Sequence, residues 1–216
     1  MRINKFLARA TGLSRRAADQ AITEGRVTID DRVAVPGDNV SEIVVIKLDG
    51  KELSLPTSTT TIMLNKPVGC VSSRQGQGSR TIYDLLPPEF HNLKPVGRLD
   101  KDSSGLLLLT DDGELANQLT HPRYAKTKIY QIELDKPLSE ADRRQIEKGI
   151  ELNDGLSRLG LKPLSNGWQV TMTEGRSRQI RRTFAALGYH VTKLHRTQFG
   201  DYQLDKLPAG KYKVMH

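Results

Sequence analysis

Residues 94–113 read KPVGRLDKDSSGLLLLTDDG and place two carboxylates directly before a short apolar run. Asp100 and Asp102 lie in a polar turn, and residues 106–109 have the length expected of a buried strand. A strand fixed in the core holds the preceding loop in place, while the loop itself can reach a substrate. Asp100 is therefore a candidate catalytic group, although an aspartate in such a turn more often caps or solvates it.

The amino-acid composition limits which classes of protein the chain can belong to. Of the 216 residues 37% are hydrophobic, and the mean hydropathy of -0.49 is typical of one or two globular domains. Lysine and arginine number 33 against 25 acidic residues, and the net charge of +8 favours a polyanionic partner such as nucleic acid. The single Cys70 excludes an internal disulfide and a thiolate metal cluster. Without a signal peptide or a membrane-length apolar window, we expect a cytoplasmic monomer away from membranes.

The first 35 residues predict a small helix-helix-hairpin fold. Apolar residues recur at helical spacing before Gly12 and again after Ser14, and residues 27–29 and 33–35 form a candidate hairpin followed by a strand at 44–46. Five cations precede the first acidic residue, Asp19: Arg2, Lys5, Arg9, Arg15 and Arg16. The pattern therefore gathers positive charge at one end of this fold.

A second, larger domain is expected after residues 54–60, SLPTSTT, which have the composition of a linker. Beyond it the periodicity predicts strands and helices in mixed order: strands at 62–66, 68–71, 106–109, 128–134 and 168–173, and helices after 112, at 138–150 and at 177–186. We therefore predict an α+β chain with domains at residues 1–54 and 61–216.

The last third carries a dense basic segment. Residues 174–182 read EGRSRQIRR, and from Arg176 to Arg196 there are six lysines or arginines and no acidic residue that would neutralise them locally. On a helix, Arg178, Arg181 and Arg182 would share one side and bind several phosphates. The alternative is that these arginines only solubilise the surface.

These motifs resemble known families. RINKFLARAxGLSRRAADQAIxEGRVTI resembles the small RNA-binding domain of the ribosomal protein S-four type, which implies that Arg15 and Arg16 contact structured RNA. Residues 94–113, with MLNKPxG, KxY at 128–130 and EGRSRQIRRxFAALG, resemble the RsuA branch of pseudouridine synthases, which isomerise uridines in ribosomal RNA. That resemblance implies a long, mainly antiparallel sheet with helices packed on it.

The resemblance also implies roles for single residues. Asp100 matches the catalytic aspartate, which attacks the ribose of the target uridine or removes a proton from it. Tyr130 matches the tyrosine that packs on the base and serves in proton removal at carbon five. Arg181 matches the basic partner of Asp100, Ile180 the aliphatic residue beneath the base, and Arg98 a residue that fills the space left by the flipped nucleotide.

The implied isomerisation leaves the oxidation state unchanged, so neither a cofactor nor a metal is expected, and the five histidines lack metal-ligand spacing. Asp102 matches no catalytic position and is assigned to the turn. The expected partner is ribosomal RNA or a ribosome-assembly intermediate. One alternative is a non-catalytic RNA-binding assembly protein on the same fold. Another is a glycoside-cleaving enzyme using Asp100 with Asp102, which is disfavoured because residues two apart seldom flank a bond.

Overall fold

The computed structural model describes residues 1–41 and 44–215, so His216 and two residues of the N-terminal domain lie outside it. The chain divides into two compact units, Met1–Thr60 with Asp111–Gly113, and Thr61–Thr110 with Glu114–His216. Within the described ranges, no helix is long and apolar enough to cross a membrane.

The first unit contains two helices and a small sheet. The helices are α1 (Ile3–Thr11) and α2 (Arg15–Thr23), and the strands are β1 (Val27–Ile29), β2 (Arg32–Val33), β3 (Ile46–Leu48) and β4 (Lys51–Leu53). The antiparallel sheet has the order β2-β1-β3-β4. Its core is formed by apolar residues of both helices and the sheet, including Ile3, Leu7, Ala18, Ile22 and Ile46.

Local signals explain most of these boundaries. Gly12 ends α1 with a left-handed φ of 76°, and the Ser14 hydroxyl caps α2 by accepting a hydrogen bond from Ala17 N at 3.1 Å. These features confirm the two predicted helices. The strand predicted at 44–46 instead begins at Ile46, and β4 was missed. The missed signal is Asp49-Gly50, whose φ angles of 52° and 77° form the tight turn typical of a hairpin.

The second unit is built on a nine-stranded sheet. The strands of this unit, two of which lie outside that sheet, are β5 (Thr61–Lys66), β6 (Lys94–Pro95), β7 (Ser104–Thr110), β8 (Lys128–Leu134), β9 (Ile150–Leu152), β10 (Gly155–Ser157), β11 (Gly160–Pro163), β12 (Trp168–Met172), β13 (Val191–Phe199), β14 (Tyr202–Gln203) and β15 (Tyr212–Met215). The helices are α3 (Gly113–Thr120), α4 (Glu140–Lys148) and α5 (Gln179–Ala185). The main path is β11-β12-β8-β13-β7-β5-β15, with β14 on β13, β6 on β7, and β9-β10 forming a separate pair.

Almost every strand pair is antiparallel, as expected for this α+β class. The exception is β13 beside β7, which are parallel. The alternating leucines of β7 belong to two different clusters, Leu107 and Leu109 to one and Leu106 and Leu108 to the other, so the strand is covered on both faces. This explains why an unbroken apolar run forms a strand here.

Two expectations differ from the structure in this unit. Residues 68–71 do not continue β5 as a strand, and only Val71 forms an isolated bridge, with Thr81. The helix expected at 177–186 begins later, at Gln179. Its apolar side is buried, because Ile180 and Phe184 belong to the main core.

Candidate active site

Asp100 lies on the loop between β6 and β7. The loop turns back on itself, since Ser103 N donates to Asp100 O at 3.1 Å, and β7 then starts at Ser104. The Asp100 side chain is 39% exposed. A partly exposed carboxylate is thus placed at the start of one of the most deeply buried strands.

Lys66, the last residue of β5, holds the backbone of this loop in place. Its side chain is 0% exposed, and Nζ donates to Ser103 O at 2.7 Å, to Asp100 O at 2.9 Å and to Pro67 O at 3.1 Å. Burial lowers the pKa of Lys66 to about 8, so the amine is still largely protonated at neutral pH. Sequence reasoning gave this residue no role. The available signal was a lysine that ends a strand shortly after the apolar residues 62–64.

Two further contacts hold the loop backbone. The buried Ser72 hydroxyl donates to Leu99 O at 2.9 Å and accepts from Leu99 N at 3.2 Å. Gly69 N donates to Lys101 O at 2.7 Å. Together with Lys66, these bonds constrain the residues on both sides of Asp100, so the position of its carboxylate is set by the core.

Arg178 and Arg181 approach the loop from the other side. Arg178 binds Asp102 through both carboxylate oxygens at 3.2 and 3.1 Å, and its Nη1 lies 3.5 Å from Asp100 Oδ2. Arg181 has its Nε 3.2 Å from Asp102 Oδ2 and donates to Asp102 O at 2.9 Å. The sequence interpretation paired Arg181 with Asp100, but among the described residues the ion pair of Asp100 is with Arg178.

Asp102 therefore does more than complete the turn. Burial raises the pKa of its carboxyl group, but the hydrogen bonds from Arg178 and the charges of Arg181 and Arg178 outweigh this and lower it. Arg178 itself has a left-handed φ of 47°, which is unusual for a residue other than glycine. That backbone conformation directs the chain into α5, immediately before Gln179.

Arg176 and Arg182 bind a second acidic turn. Arg182 Nη2 lies 2.6 Å from Asp154 Oδ2, and Arg176 Nη1 lies 2.8 Å from Asp154 Oδ1. The expectation that nothing neutralises the basic segment locally was thus wrong, since even Glu174, two residues before Arg176, lies 3.2 Å from that guanidinium. Carboxylates from residues 20 to 80 positions earlier meet these arginines, so Arg178, Arg181 and Arg182 do not form one free phosphate-binding face.

A pocket of about 580 Å³ opens beside Asp100. Five of the predicted site residues line it: Arg98, Asp100, Tyr130, Arg178 and Ile180. Tyr130 and Ile180 are largely buried, whereas Arg98 is exposed. Arg181 and Arg182 are not among the described lining residues. The pocket thus combines a carboxylate, an aromatic ring and an aliphatic side chain, and its volume is typical of small-molecule sites.

Sequence reasoning gave no site role to four cations that line this pocket, Lys126, Lys128, Arg176 and Arg196. Lys128 Nζ lies 5.2 Å from the centre of the Phe199 ring, and the Arg196 guanidinium carbon lies 4.8 Å from the same centre. Burial and the charge of Arg196 lower the pKa of Lys128. Lys128 was visible in the KxY motif, but Arg196 lies on a strand that was not predicted.

In the first unit, Arg15 and Arg16 begin α2 and are both exposed. Neither has a carboxylate oxygen within 4.0 Å in the part of the chain that the structure describes. Arg26 of the same unit, in contrast, binds Asp49 at 2.6 Å. The two arginines of α2 therefore keep their charges available.

Comparison with known proteins identifies the family. The model of the RNA pseudouridylate synthase family matches residues 60–186, which is more than half of the chain. The chain belongs to the RNA pseudouridylate synthase family. The enzyme also matches the S4 domain, over residues 1–44. RNA is thus its partner, and the fold confirms the α+β architecture that the resemblance implied.

Curated relatives match this synthase over nearly its whole length. The ribosomal large subunit pseudouridine synthase B of Yersinia pestis is 37% identical over 224 residues, covering 97% of this chain and 70% of the relative. The ribosomal small subunit pseudouridine synthase A of Escherichia coli (strain K12) is 35% identical over 228 residues, covering 100% and 96%. The family assignment favours an isomerase over the glycoside-cleaving and non-catalytic alternatives.

A solved structure agrees with the fold of the synthase. The crystal structure of a pseudouridylate synthase, 34% identical in sequence, superposes with a TM-score of 0.72 and covers 100% of this chain and 96% of that one. The likeness therefore extends over both units of the enzyme, each with its own core.

Proposed function

We propose that this synthase converts a uridine of ribosomal RNA to pseudouridine, with Asp100 as the catalytic carboxylate. The observation that carries the proposal is the Asp100 loop, which Lys66 and Ser72 fix beside a pocket lined by Tyr130 and Ile180. The names of the relatives, which include synthases for both ribosomal subunits, support ribosomal RNA as the substrate class.

The target uridine is flipped out of the RNA into this pocket. A uracil cannot rotate while it is stacked, and its extrusion costs a few kcal/mol. The buried ring of Tyr130 and the side chain of Ile180 offer apolar contacts that offset part of this cost. Arg98, exposed at the pocket, is suited to occupy the space that the nucleotide leaves.

The basic residues divide into two roles. Arg178 orients the Asp100 carboxylate from 3.5 Å, and Arg181 holds the loop through Asp102. Arg182 stabilises the turn at Asp154, so we do not assign it to phosphate binding. The RNA contacts of the N-terminal domain, residues 1–54, are assigned to Arg15 and Arg16, and catalysis to residues 61–216.

The test is to map pseudouridines in unmodified ribosomal RNA, both free and in ribosomal particles, after incubation with the enzyme. Wild-type protein is expected to create a discrete new site, and Asp100→Asn to create none while retaining RNA affinity within about threefold. Asp102→Asn is the matched control, because it removes a neighbouring carboxylate from the same loop. It should modify the same site more slowly.

Other outcomes would change the proposal. An Asp100→Asn variant that still turned over would remove Asp100 from the mechanism. Binding without any new site, on RNA or on particles, would favour the ribosome-assembly role instead.

A further inference from the structure

Arg196 differs from every other cation of the basic segment. The other five each bind a carboxylate: Arg176 and Arg182 at Asp154, Arg178 and Arg181 at Asp102, and Lys193 at Glu133. Within residues 1–41 and 44–215, no carboxylate oxygen lies within 4.0 Å of the Arg196 guanidinium. Arg196 is nevertheless the most buried of the six, with 2% of its surface exposed.

The backbone of β13 holds Arg196 in a fixed place. Its neighbour on β8 is Tyr130, and its neighbour on β7 is Gly105. The strands approach so closely here that a Cβ on Gly105 would lie 2.2 Å from Arg196 O. Sheet pairing on both sides therefore fixes the position of Arg196. One of the two paired residues is Tyr130, which is proposed to contact the flipped base.

The guanidinium group has unused hydrogen-bonding capacity. Nε donates to Leu106 O at 2.8 Å, but Nη2 is buried and has no hydrogen-bond partner among the described residues. A buried cation costs free energy unless an opposite charge or a set of acceptors compensates it. Arg176, in contrast, donates through both Nη1 and Nη2, although its Nε is also without a partner among the described residues.

The uncompensated charge faces a pocket with a second cation. Arg196 and Lys128 both line the pocket that contains Asp100 and Tyr130, and both lie against the Phe199 ring. Lys128 Nζ donates to the carbonyl oxygens of Lys126 and Thr173, each at 3.4 Å. Glu174 also lines the pocket, but among the described residues no carboxylate oxygen lies within 4.0 Å of Lys128 Nζ. The two cations at this end of the pocket can therefore stabilise a group that gains negative charge during the reaction.

We propose that Arg196, assisted by Lys128, is a catalytic residue that stabilises the uracil anion released when the glycosidic bond breaks. The inference rests on the proposed function. The bond between C1′ and N1 breaks, and the ring keeps both electrons, whether Asp100 attacks C1′ or removes a ribose proton. The negative charge spreads from N1 to the two carbonyl oxygens, where a guanidinium can bind it. C5 then bonds to C1′ as the Asp100–C1′ ester breaks or, in the other route, as the protonated Asp100 returns its proton to the ribose. C5 loses its proton to a base and N1 gains one, so the product is an isomer and no oxidant is needed.

The experiment compares Arg196→Met, which is neutral and of similar length, with Arg196→Lys, which retains the charge. Single-turnover rates at saturating RNA are expected to fall on the order of 100-fold for Arg196→Met and by less than about tenfold for Arg196→Lys. RNA affinity should change less than threefold, and the Tm of Arg196→Met should equal or exceed that of wild type, because an uncompensated buried charge is removed.

Chemical rescue distinguishes a catalytic from a structural role, because added guanidinium ion would not restore the rate if Arg196 had only a structural role. Guanidinium ion at millimolar concentration should raise the rate of Arg196→Ala and leave the rate of Asp100→Asn unchanged. Equal losses for Arg196→Met and Arg196→Lys, with a lower Tm and no rescue, would overturn the inference. If the wild type is active and Arg196→Met is equally active, the inference about Arg196 is overturned and the proposed function stands. If the wild type is inactive, both are overturned.

Discussion

Arg15 and Arg16 at the start of α2 are exposed and have no carboxylate within 4.0 Å in the described part of the chain, whereas Arg178, Arg181 and Arg182 around α5 each bind one. Both groups are clustered arginines next to a short helix. The α5 arginines are bound to carboxylates that lie in the Asp100 loop and in the turn at Asp154. Their charges are thus largely used within the fold.

This difference indicates what a basic cluster can do. A guanidinium that already binds a carboxylate must break that contact before it can bind a phosphate. An exposed, unpaired guanidinium binds a phosphate and releases counterions at once. We therefore assign the α5 arginines to the geometry of the active site and the α2 arginines to RNA affinity.

Lys66 is the most extreme case of a cation used within the fold, so its loss should have the largest effect. Lys66→Met leaves two carbonyl oxygens of the Asp100 loop, those of Asp100 and Ser103, and the adjacent Pro67 O without the donor that the buried Lys66 side chain supplies. We expect a loss of about 2–4 kcal/mol in the free energy of unfolding and a large fall in turnover. Thermal unfolding measures the loss of stability, and single-turnover kinetics measure the fall in turnover.

The pH dependence of stability provides a control for that variant. The pKa of Lys66 is about 8 in the fold against 10.5 for an ordinary lysine. Between these values the unfolded chain binds more protons than the folded one, so stability gains from rising pH. The Tm of wild type should therefore rise relative to that of Lys66→Met from pH 8 to 10. A constant difference would contradict the lowered pKa.

Arg181 should have an intermediate effect, because it is 10% exposed and joins α5 to the Asp100 loop. Arg181→Met is expected to lower the free energy of unfolding by about 1–2 kcal/mol and the rate by roughly tenfold. Its RNA affinity should stay close to that of wild type. A double-mutant cycle with Asp102→Asn should yield a coupling energy of about 1 kcal/mol. Additive effects would show that the contact with Asp102 does not stabilise the loop.

Arg182 should have the smallest effect. Its ion pair with Asp154 is partly exposed, and such pairs contribute about 0–1 kcal/mol. We expect Arg182→Ala to change RNA affinity less than twofold and to leave the salt dependence of binding unchanged. A clear reduction of that salt dependence would place Arg182 on the RNA and weaken the comparison.

Sequence reasoning succeeded where a local signal determined the structure. The leucine run of β7, the Ser14 cap of α2 and the alternation of β8 each predicted an element that the fold contains. It failed where the signal is interrupted. The central strand β13 has irregular register between Val191 and Lys193 and between Arg196 and Gln198, which breaks the period of two.

The candidate site was predicted only in part for a related reason. Asp100, Tyr130 and Ile180 were found by resemblance and line one pocket. The pairing of Arg178 and Arg181 with Asp102 depends on contacts between residues more than 70 positions apart. No local spacing encodes such contacts, so the charges of the basic segment looked free in the sequence.

The most direct test of the division between the two clusters compares two double variants. Arg15→Gln with Arg16→Gln should lower the salt slope of RNA binding by about 1.4 and leave the single-turnover rate at saturating RNA within about threefold. Arg178→Gln with Arg181→Gln should leave the slope unchanged and lower the rate by roughly 10- to 100-fold. Arg143 and Arg144 of α4, which are 25% and 67% exposed and bind carboxylates of the same helix, are changed to Gln together as the control. A lower salt slope for the α5 pair, or an unchanged slope for the α2 pair, would contradict the account.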